Sequence, residues 1–210
     1  PGTIDNDIYG TESTIGFATA VNTALEAIDK IRDTADAFER IFIVELMGKH
    51  SGHITYNVGL AGGCEKVLSF ENFYLADPDS QLHQIALDIR FHQENFQSSY
   101  ILCIAENLWP DGSQALAKTL MDKFDIDATV CILGHIQRGG SPVAEDRIMA
   151  TQMGIDAIEA ITSNISGVMI GINDQQLTRV PLTKTLATKK VIDLNIINAQ
   201  NTLNRAFEPK

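Results

Sequence analysis

Three unbroken apolar runs punctuate the chain: Ile41-Phe42-Ile43-Val44, Tyr100-Ile101-Leu102-Cys103-Ile104-Ala105, and Ala128 to Leu133. Each is rich in β-branched, aromatic or aliphatic residues and does not alternate with polar ones, the pattern of a strand covered on both faces. Between these runs the apolar positions recur at three- and four-residue steps. Phe17, Val21, Leu25, Ile28 and Ile31 mark a long amphipathic helix that Thr14 can cap and that reaches Arg32-Asp33. The same spacing predicts helices from His53 to Leu60, closed by Ala61-Gly62-Gly63, and from Gln81 to Phe91, with Leu82, Ile85, Ile89 and, as a further candidate, Leu87 facing inward. Two more are predicted from Ala115 to Phe124 and from Val143 to about Ala160, the latter with Pro142 near its first turn. Lys66 to Ser69 and Val168 to Ile172 read as short strands, and weaker helices are expected near Pro181 to Ala187 and Ile196 to Phe207. Strands buried on both faces and alternating with helices define an α/β fold, a three-layer αβα arrangement around largely parallel sheets, in which ligands bind beyond the carboxyl ends of the strands.

Composition narrows the function. The chain has 210 residues, 44% hydrophobic and 20% charged, enough for one or two domains with a full core. Its net charge of -11 lacks the basic face that nucleic acid or an anionic membrane would require, so no nucleic-acid or membrane partner is expected and any phosphate site must be a local cluster. Cys64, Cys103 and Cys131 are an odd number at wide spacing and read as reduced core residues of a cytoplasmic protein. There is no signal peptide and no apolar run long enough to span a bilayer. The chain opens without Met on its most site-like stretch, which leads us to expect a further N-terminal portion.

Polar, glycine-bearing loops follow the apolar strands. Met47-Gly48-Lys49 offers backbone N–H groups, close approach at a glycine and one cation, which suits a phosphorylated ligand, although a tight strand-to-helix turn has the same composition. Glu106 could accept sugar hydroxyls or cap a helix. His135 and Arg138, followed by Gly139-Gly140-Ser141, form a cationic loop running toward a helix start, a natural anion site. Arg40 reads alone as a solvated charge. The opening Pro1-Gly2-Thr3-Ile4-Asp5-Asn6-Asp7 places two carboxylates at i and i+2, on one face if the segment is extended, where one could take a proton while the other engages a cation. An Asp/Asn-rich turn would look the same. No Ser/His/Asp order, HExxH, Cys/His metal spacing, P-loop or GxGxxG is present.

PGTIDND, ELMGKHSG, LAGGCE and LGHIQRGGSP, in this order and at these separations, resemble the bacterial-type ATP-dependent 6-phosphofructokinases over nearly the whole chain. The resemblance implies phosphoryl transfer from ATP to the 1-hydroxyl of fructose 6-phosphate, a step of glycolysis. Asp5 would be the general base with Thr3 beside it, and Asp7 would assist around Mg2+. Lys49 would stand where the family has a catalytic arginine. Met47, Gly48 and Glu106 would contact fructose 6-phosphate, and His135 and Arg138 would hold its phosphate. Arg40 would reach into a neighbouring subunit of a tetramer or dimer, and Arg32 and Glu65 match an allosteric effector site. The resemblance further implies a two-domain architecture, with residues 1 to 15 and 137 to 189 in a remnant of the larger, nucleotide-side domain. Residues 16 to 136 and 190 to 210 would form the smaller, sugar-phosphate-binding domain.

The sequence departs from the family at several positions. Lys49 keeps the arginine's charge but loses its planar fork. Thr129 stands where a phosphate-binding arginine is usual, and Asn95, Gln97 and Ser99 replace basic effector-site residues. The family's glycine-rich ATP loops are absent, so the 210 residues alone are expected not to turn over ATP. Two other readings stay open: a pyrophosphate-dependent relative, disfavoured by Gly2 where those enzymes resemble PKTIDND, and a non-catalytic sugar-phosphate-binding or regulatory subunit.

Overall fold

The computed structural model describes residues 1–38, 40–73, 77–96 and 99–205. Four strands, β1 (Ile41–Leu46), β2 (Lys66–Leu68), β3 (Tyr100–Ala105) and β4 (Ala128–Ile132), form a parallel sheet in the order β2-β3-β1-β4. The central pair, β1 and β3, comes from two of the three apolar runs, and every residue of β3 is buried. One face of the sheet is covered by α3 (Pro78–Phe96) and α4 (Gly112–Phe124), which pack Leu82, Ile85, Ile89, Leu116 and Leu120 against Ile41, Ile43, Leu102 and Ile104. The other face carries α1 (Phe17–Asp36), α2 (His53–Ala61) and α7 (Leu194–Arg205), with Ala20, Ala24, Ile28, Ile54 and Val58 on Phe42, Val44, Ile101 and Cys103. The three layers expected from the sequence are therefore present. All three cysteines are free; Cys64 and Cys103 are buried with their sulfurs 3.4 Å apart, while Cys131 is half-buried.

After β4 a 3₁₀ turn (Gly134–Arg138) leads to α5 (Ala144–Thr162), then to an antiparallel hairpin of β5 (Val168–Asn173) and β6 (Gln176–Pro181), and to α6 (Leu182–Ala187). The hairpin corrects the expectation of a single short strand here. It packs on the opening segment, where Glu12 N–H donates to Ile172 O at 2.8 Å and Ile172 N–H donates to the Thr11 hydroxyl at 3.0 Å. The outer side of α5 leaves Ile148, Ile155, Ile158 and Ile161 each more than half exposed.

Three further expectations change. β4 is an edge strand rather than a fully buried one, with Thr129 and Ile132 exposed, because among the described residues no strand pairs with its outer side. Leu87 points to solvent. The last helix is described over Leu194–Arg205, and Phe207 lies outside the described residues. Thr14 does not cap α1. The N-cap is Gly16, whose side chain can cap nothing, and the capping acceptor comes from α5: Asp146 Oδ1 accepts the Gly16 N–H at 2.8 Å, and its Oδ2 accepts the Thr19 N–H at 2.8 Å together with the Thr19 hydroxyl.

Candidate active site

The sheet brings three loops to one end. β1 and β3 run in parallel register, so their carboxyl ends, Leu46 and Ala105, lie side by side, and β4 ends beside Glu45. The loops that follow are fastened by backbone bonds: Glu106 N–H donates to Leu46 O at 2.8 Å, and Leu133 N–H to Glu45 O at 3.1 Å. Met47, Gly48, Glu106, His135 and Arg138 all belong to these loops, as the sequence predicted for a parallel sheet.

The Met47-Gly48-Lys49 loop turns sharply. Gly48 adopts φ +148° and Lys49 φ +58°, and a side chain at Gly48 would place its Cβ 2.6 Å from Ser51 O. Glu106 holds this turn: its Oε1 accepts N–H bonds from Gly48 at 3.1 Å and Lys49 at 2.8 Å. That leaves Oε2 for another donor. Met47 N–H donates to Oε1 of Gln137 at 2.9 Å, which ties the loop after β1 to the loop after β4. Gln137 is buried, its Nε2 has no partner among the described residues, and it borders a cleft of about 280 Å3 with Ile4, Gly16 and Arg138. His135 and Arg138 are exposed on the same 3₁₀ turn, in which residues three apart eclipse, so both side chains share a face.

The opening segment is laid across these loops. Ser51 Oγ donates to Asp5 O at 3.1 Å, and Asp5 N–H donates to the Thr3 hydroxyl at 3.2 Å. Burial pushes the Asp5 carboxyl above its ordinary pKa of 3.8, and the Asp7 charge adds to this; Arg138 pulls it down, Glu106 raises it and the Thr3 hydroxyl lowers it. Asp5 therefore shares a field with Asp7, Arg138 and Glu106. The segment is not extended, contrary to the geometry considered for Asp5 and Asp7, because Asn6 between them takes φ +52°. Asp5 is half-buried while Asp7 is exposed. Among the described residues no three His, Cys, Asp or Glu side chains converge as a metal site.

Other singled-out residues lie elsewhere. Arg40 is exposed just before β1, at the opposite end of that strand, about 20 Å away along it at ~3.3 Å per residue. Thr129 sits near the same end, on the exposed edge, in register with Phe42. Arg32 Nη1 pairs with Glu65 Oε1 at 3.1 Å, its Nη2 donates to Gly62 O and Gly63 O, and Glu65 Oε2 accepts the Ile101 N–H at 2.7 Å, so the pair is engaged within the fold. Asn95 donates to Phe91 O at 2.8 Å, Ser99 donates to Asp36, and Gln97 lies outside the described residues.

Gln137, Ser51 and Lys190 were not singled out from the sequence. The first two stand inside stretches already marked as loops, and a buried amide between two loops was the available signal. Lys190 gave none: it lies 184 residues from Asn6, whose Oδ1 it meets at 2.7 Å. Burial lowers its pKa to about 8 against the opposing pull of Asp7 and Glu12.

A protein-family model described as phosphofructokinase matches residues 1–161, most of the chain and every loop of this site. The chain belongs to the phosphofructokinase family. It is 44% identical over 203 residues to ATP-dependent 6-phosphofructokinase 1 of Thermus thermophilus, covering 97% of this chain and 61% of that protein. Against ATP-dependent 6-phosphofructokinase of Bacillus subtilis the identity is 38% over 204 residues with the same coverages, 97% and 61%. The chain thus spans about three-fifths of the length of these curated relatives. Its fold matches phosphofructokinase of Saccharomyces cerevisiae with a TM-score of 0.79 at 28% identity, over 99% of this chain and 28% of that one. A pyrophosphate-dependent phosphofructokinase of Nitrosospira multiformis shares the fold at a TM-score of 0.76 and 20% identity, over 100% of this chain and 60% of that one.

Proposed function

We propose that this chain carries the sugar side of the transfer of the ATP γ-phosphoryl group to the 1-hydroxyl of fructose 6-phosphate, in a cytoplasmic protein of its relatives' full length. The observation that carries the reading is the opening segment fastened to the loop after β1, Ser51 Oγ donating to Asp5 O at 3.1 Å, which brings the half-buried Asp5 carboxyl, its pKa raised chiefly by burial, into the field of Glu106 and Arg138. A base whose pKa lies nearer the working pH takes a hydroxyl proton more effectively, so Asp5 is the group that accepts the sugar proton, with the Thr3 hydroxyl orienting it. Glu106 uses Oε1 to hold the Gly48 turn and presents Oε2 to a sugar hydroxyl, while Met47 and Gly48 line the sugar. His135 and Arg138, two side chains on one face, take the 6-phosphate. Lys49, exposed in the left-handed region, offers a point charge to the transferring group.

Magnesium is usually held by one or two carboxylates together with ligand phosphates, so the exposed Asp7 carboxylate fits as its protein ligand. When bound it would neutralise phosphate charge during transfer. Arg40 and Thr129, both exposed near the amino ends of the neighbouring strands β1 and β4 and away from the site, fit an arrangement in which the chain assembles with its own copies, as a tetramer or dimer, and Arg40 serves a neighbour's site. Arg32 and Glu65 fit an effector site only if a ligand can compete with their mutual pair. On this reading residues 1 to 15 and 137 to 189 belong with the nucleotide side, and 16 to 136 and 190 to 210 with the sugar.

ATP is favoured over pyrophosphate as donor because the space around Gly2 is open: a Cβ built there meets nothing within 4 Å. The test compares wild type and Asp5→Asn in a full-length protein containing these residues, measuring fructose 6-phosphate-dependent ADP formation. The asparagine variant should lose roughly 10²–10⁴ in kcat with little change in sugar affinity. A variant with near wild-type kcat would remove Asp5 from the base role, and turnover with pyrophosphate but not ATP would establish the other donor.

A further inference from the structure

Asn6 separates the two carboxylates of the opening segment and is almost fully buried, unlike either neighbour. Its backbone is left-handed, a conformation that asparagine tolerates better than other non-glycine residues. All the carboxamide's bonding is inward. Oδ1 accepts the Thr14 N–H at 3.1 Å and Lys190 Nζ at 2.7 Å, and Nδ2 donates to Glu12 O at 3.2 Å. Lys190 Nζ makes a second bond to Glu12 O at 2.8 Å. One ammonium thus closes the two ends of the turn, and it comes from the segment between α6 and α7, whose Lys189 bridges Ile8.

We propose that Lys190 is a positioning residue which, through the Asn6 carboxamide, fixes the left-handed turn that sets Asp5 inward and Asp7 outward. The proposal rests on the reading of Asp5 and Asp7 given above. A turn residue in the left-handed region directs its two neighbours differently from an extended one, so loss of the bonds that hold it frees both carboxylates at once. Thr14 alone then restrains Asn6 Oδ1, and the Glu12 carbonyl keeps only the Asn6 amide. The sugar-binding loops are held separately, by Glu106 and Gln137, and do not depend on Lys190.

The test uses the full-length protein and the variants Lys190→Met, which keeps an unbranched stem without donors, and Lys190→Arg, which keeps the cation. Lys190→Met should lower kcat roughly 10²-fold, as expected for displacement of a reacting group by about 1 Å. The KM for fructose 6-phosphate should stay within about twofold, the signature of a loss confined to the transition state. In an Asp5→Asn background the same change should cost distinctly less, because one of the two groups it places is already absent and only the displacement of Asp7 remains. Lys190→Arg should recover most of the rate; if Lys190→Met does not fold, Lys190→Gln takes its place in the same scheme. An unchanged kcat, a rise in KM alone, or an equal fold-loss with and without Asp5 overturns the proposal. A wild-type protein without transfer to fructose 6-phosphate overturns the functional reading and this inference with it, whereas active wild type with an unaffected Lys190 variant overturns this inference alone.

Discussion

Asp146 allows the sharpest stability prediction. It is buried in the first turn of α5, yet its carboxylate serves α1, accepting the Gly16 and Thr19 N–H groups and the Thr19 hydroxyl. Thr19 Oγ1 in turn accepts the Val143 N–H at 3.2 Å, at the N-cap of α5. One carboxylate therefore stands between the positive ends of two helices that pack together. In Asp146→Ala the loss of a helix cap costs about 0.5–2 kcal/mol. Favourable dipole interaction with a charge adds about 0.3–1 kcal/mol at each helix end. The Thr19 N–H, left buried without an acceptor, adds a desolvation penalty of about 1–3 kcal/mol. The contributions overlap, and a central expectation is about 3 kcal/mol. With a urea slope of about 2 kcal/mol/M, this moves the unfolding midpoint down by about 1.5 M. Asp146→Asn keeps one acceptor but turns an N–H₂ toward another donor, so it should recover less than half of the loss. Urea titrations followed by circular dichroism read both variants. A midpoint shift below about 0.3 M for Asp146→Ala, at unchanged slope, would refute the idea that α5 caps α1.

Two further predictions concern the site. If Asp5 is the base proposed above, its raised pKa means that the base is lost as pH falls through a value above 3.8, so kcat/KM should decline on the acid side from there. Asp7→Asn removes a cause of the rise and should move that limb to lower pH, whereas Arg138→Ala removes a restraint and should move it higher; superimposable acid limbs in all three proteins would refute the shared field. Gly48→Ala forces a side chain into a left-handed conformation with its Cβ 2.6 Å from Ser51 O, and should cost about 1–3 kcal/mol in stability and raise the KM for fructose 6-phosphate. A thermal melt and a saturation curve that both match wild type would show that the turn relaxes freely.

The sheet was legible because β1 and β3 are buried on both faces and therefore carry unbroken apolar runs, and the loops at their ends followed from the rule for parallel sheets. β6 escaped for a specific reason. A two-residue hairpin turn needs positive φ at both central residues and is usually announced by Asn-Gly or Asp-Gly, but here Asp174 and Gln175 take φ +49° and +59° with no glycine. β4 looked fully buried because its composition is apolar, and nothing local reveals that a strand lies at an edge. Leu87 fits the helical period of α3 yet falls on its outer face, since the buried stripe runs through Leu82, Ile85, Ala86 and Ile89. Motifs placed Asp5, Glu106, His135 and Arg138 together in expectation, and the structure gathers their loops. Contacts that span the chain, such as Asp146 on α1 and Lys190 on Asn6, leave no periodic trace.

The sheet order has a consequence for how the molecule reaches its native state. β1 starts at Ile41, but the strands that flank it start at Tyr100 and Ala128, and it pairs with nothing nearer in sequence. Closing such long loops is entropically expensive before any contact is gained, so parallel pairings of this kind form slowly, whereas the β5–β6 hairpin can close locally and early. The turn at Gly48 has a local bond from the Ser51 N–H to Gly48 O, but its clamp from the end of β3 and its tie to the loop after β4 form only when both distant strands have docked. If the three loops form the proposed sugar-phosphate site, that site is therefore complete only at the end of folding. A ligand that bridges the three loops would brake unfolding at the same step, lengthening the native lifetime more than it speeds folding.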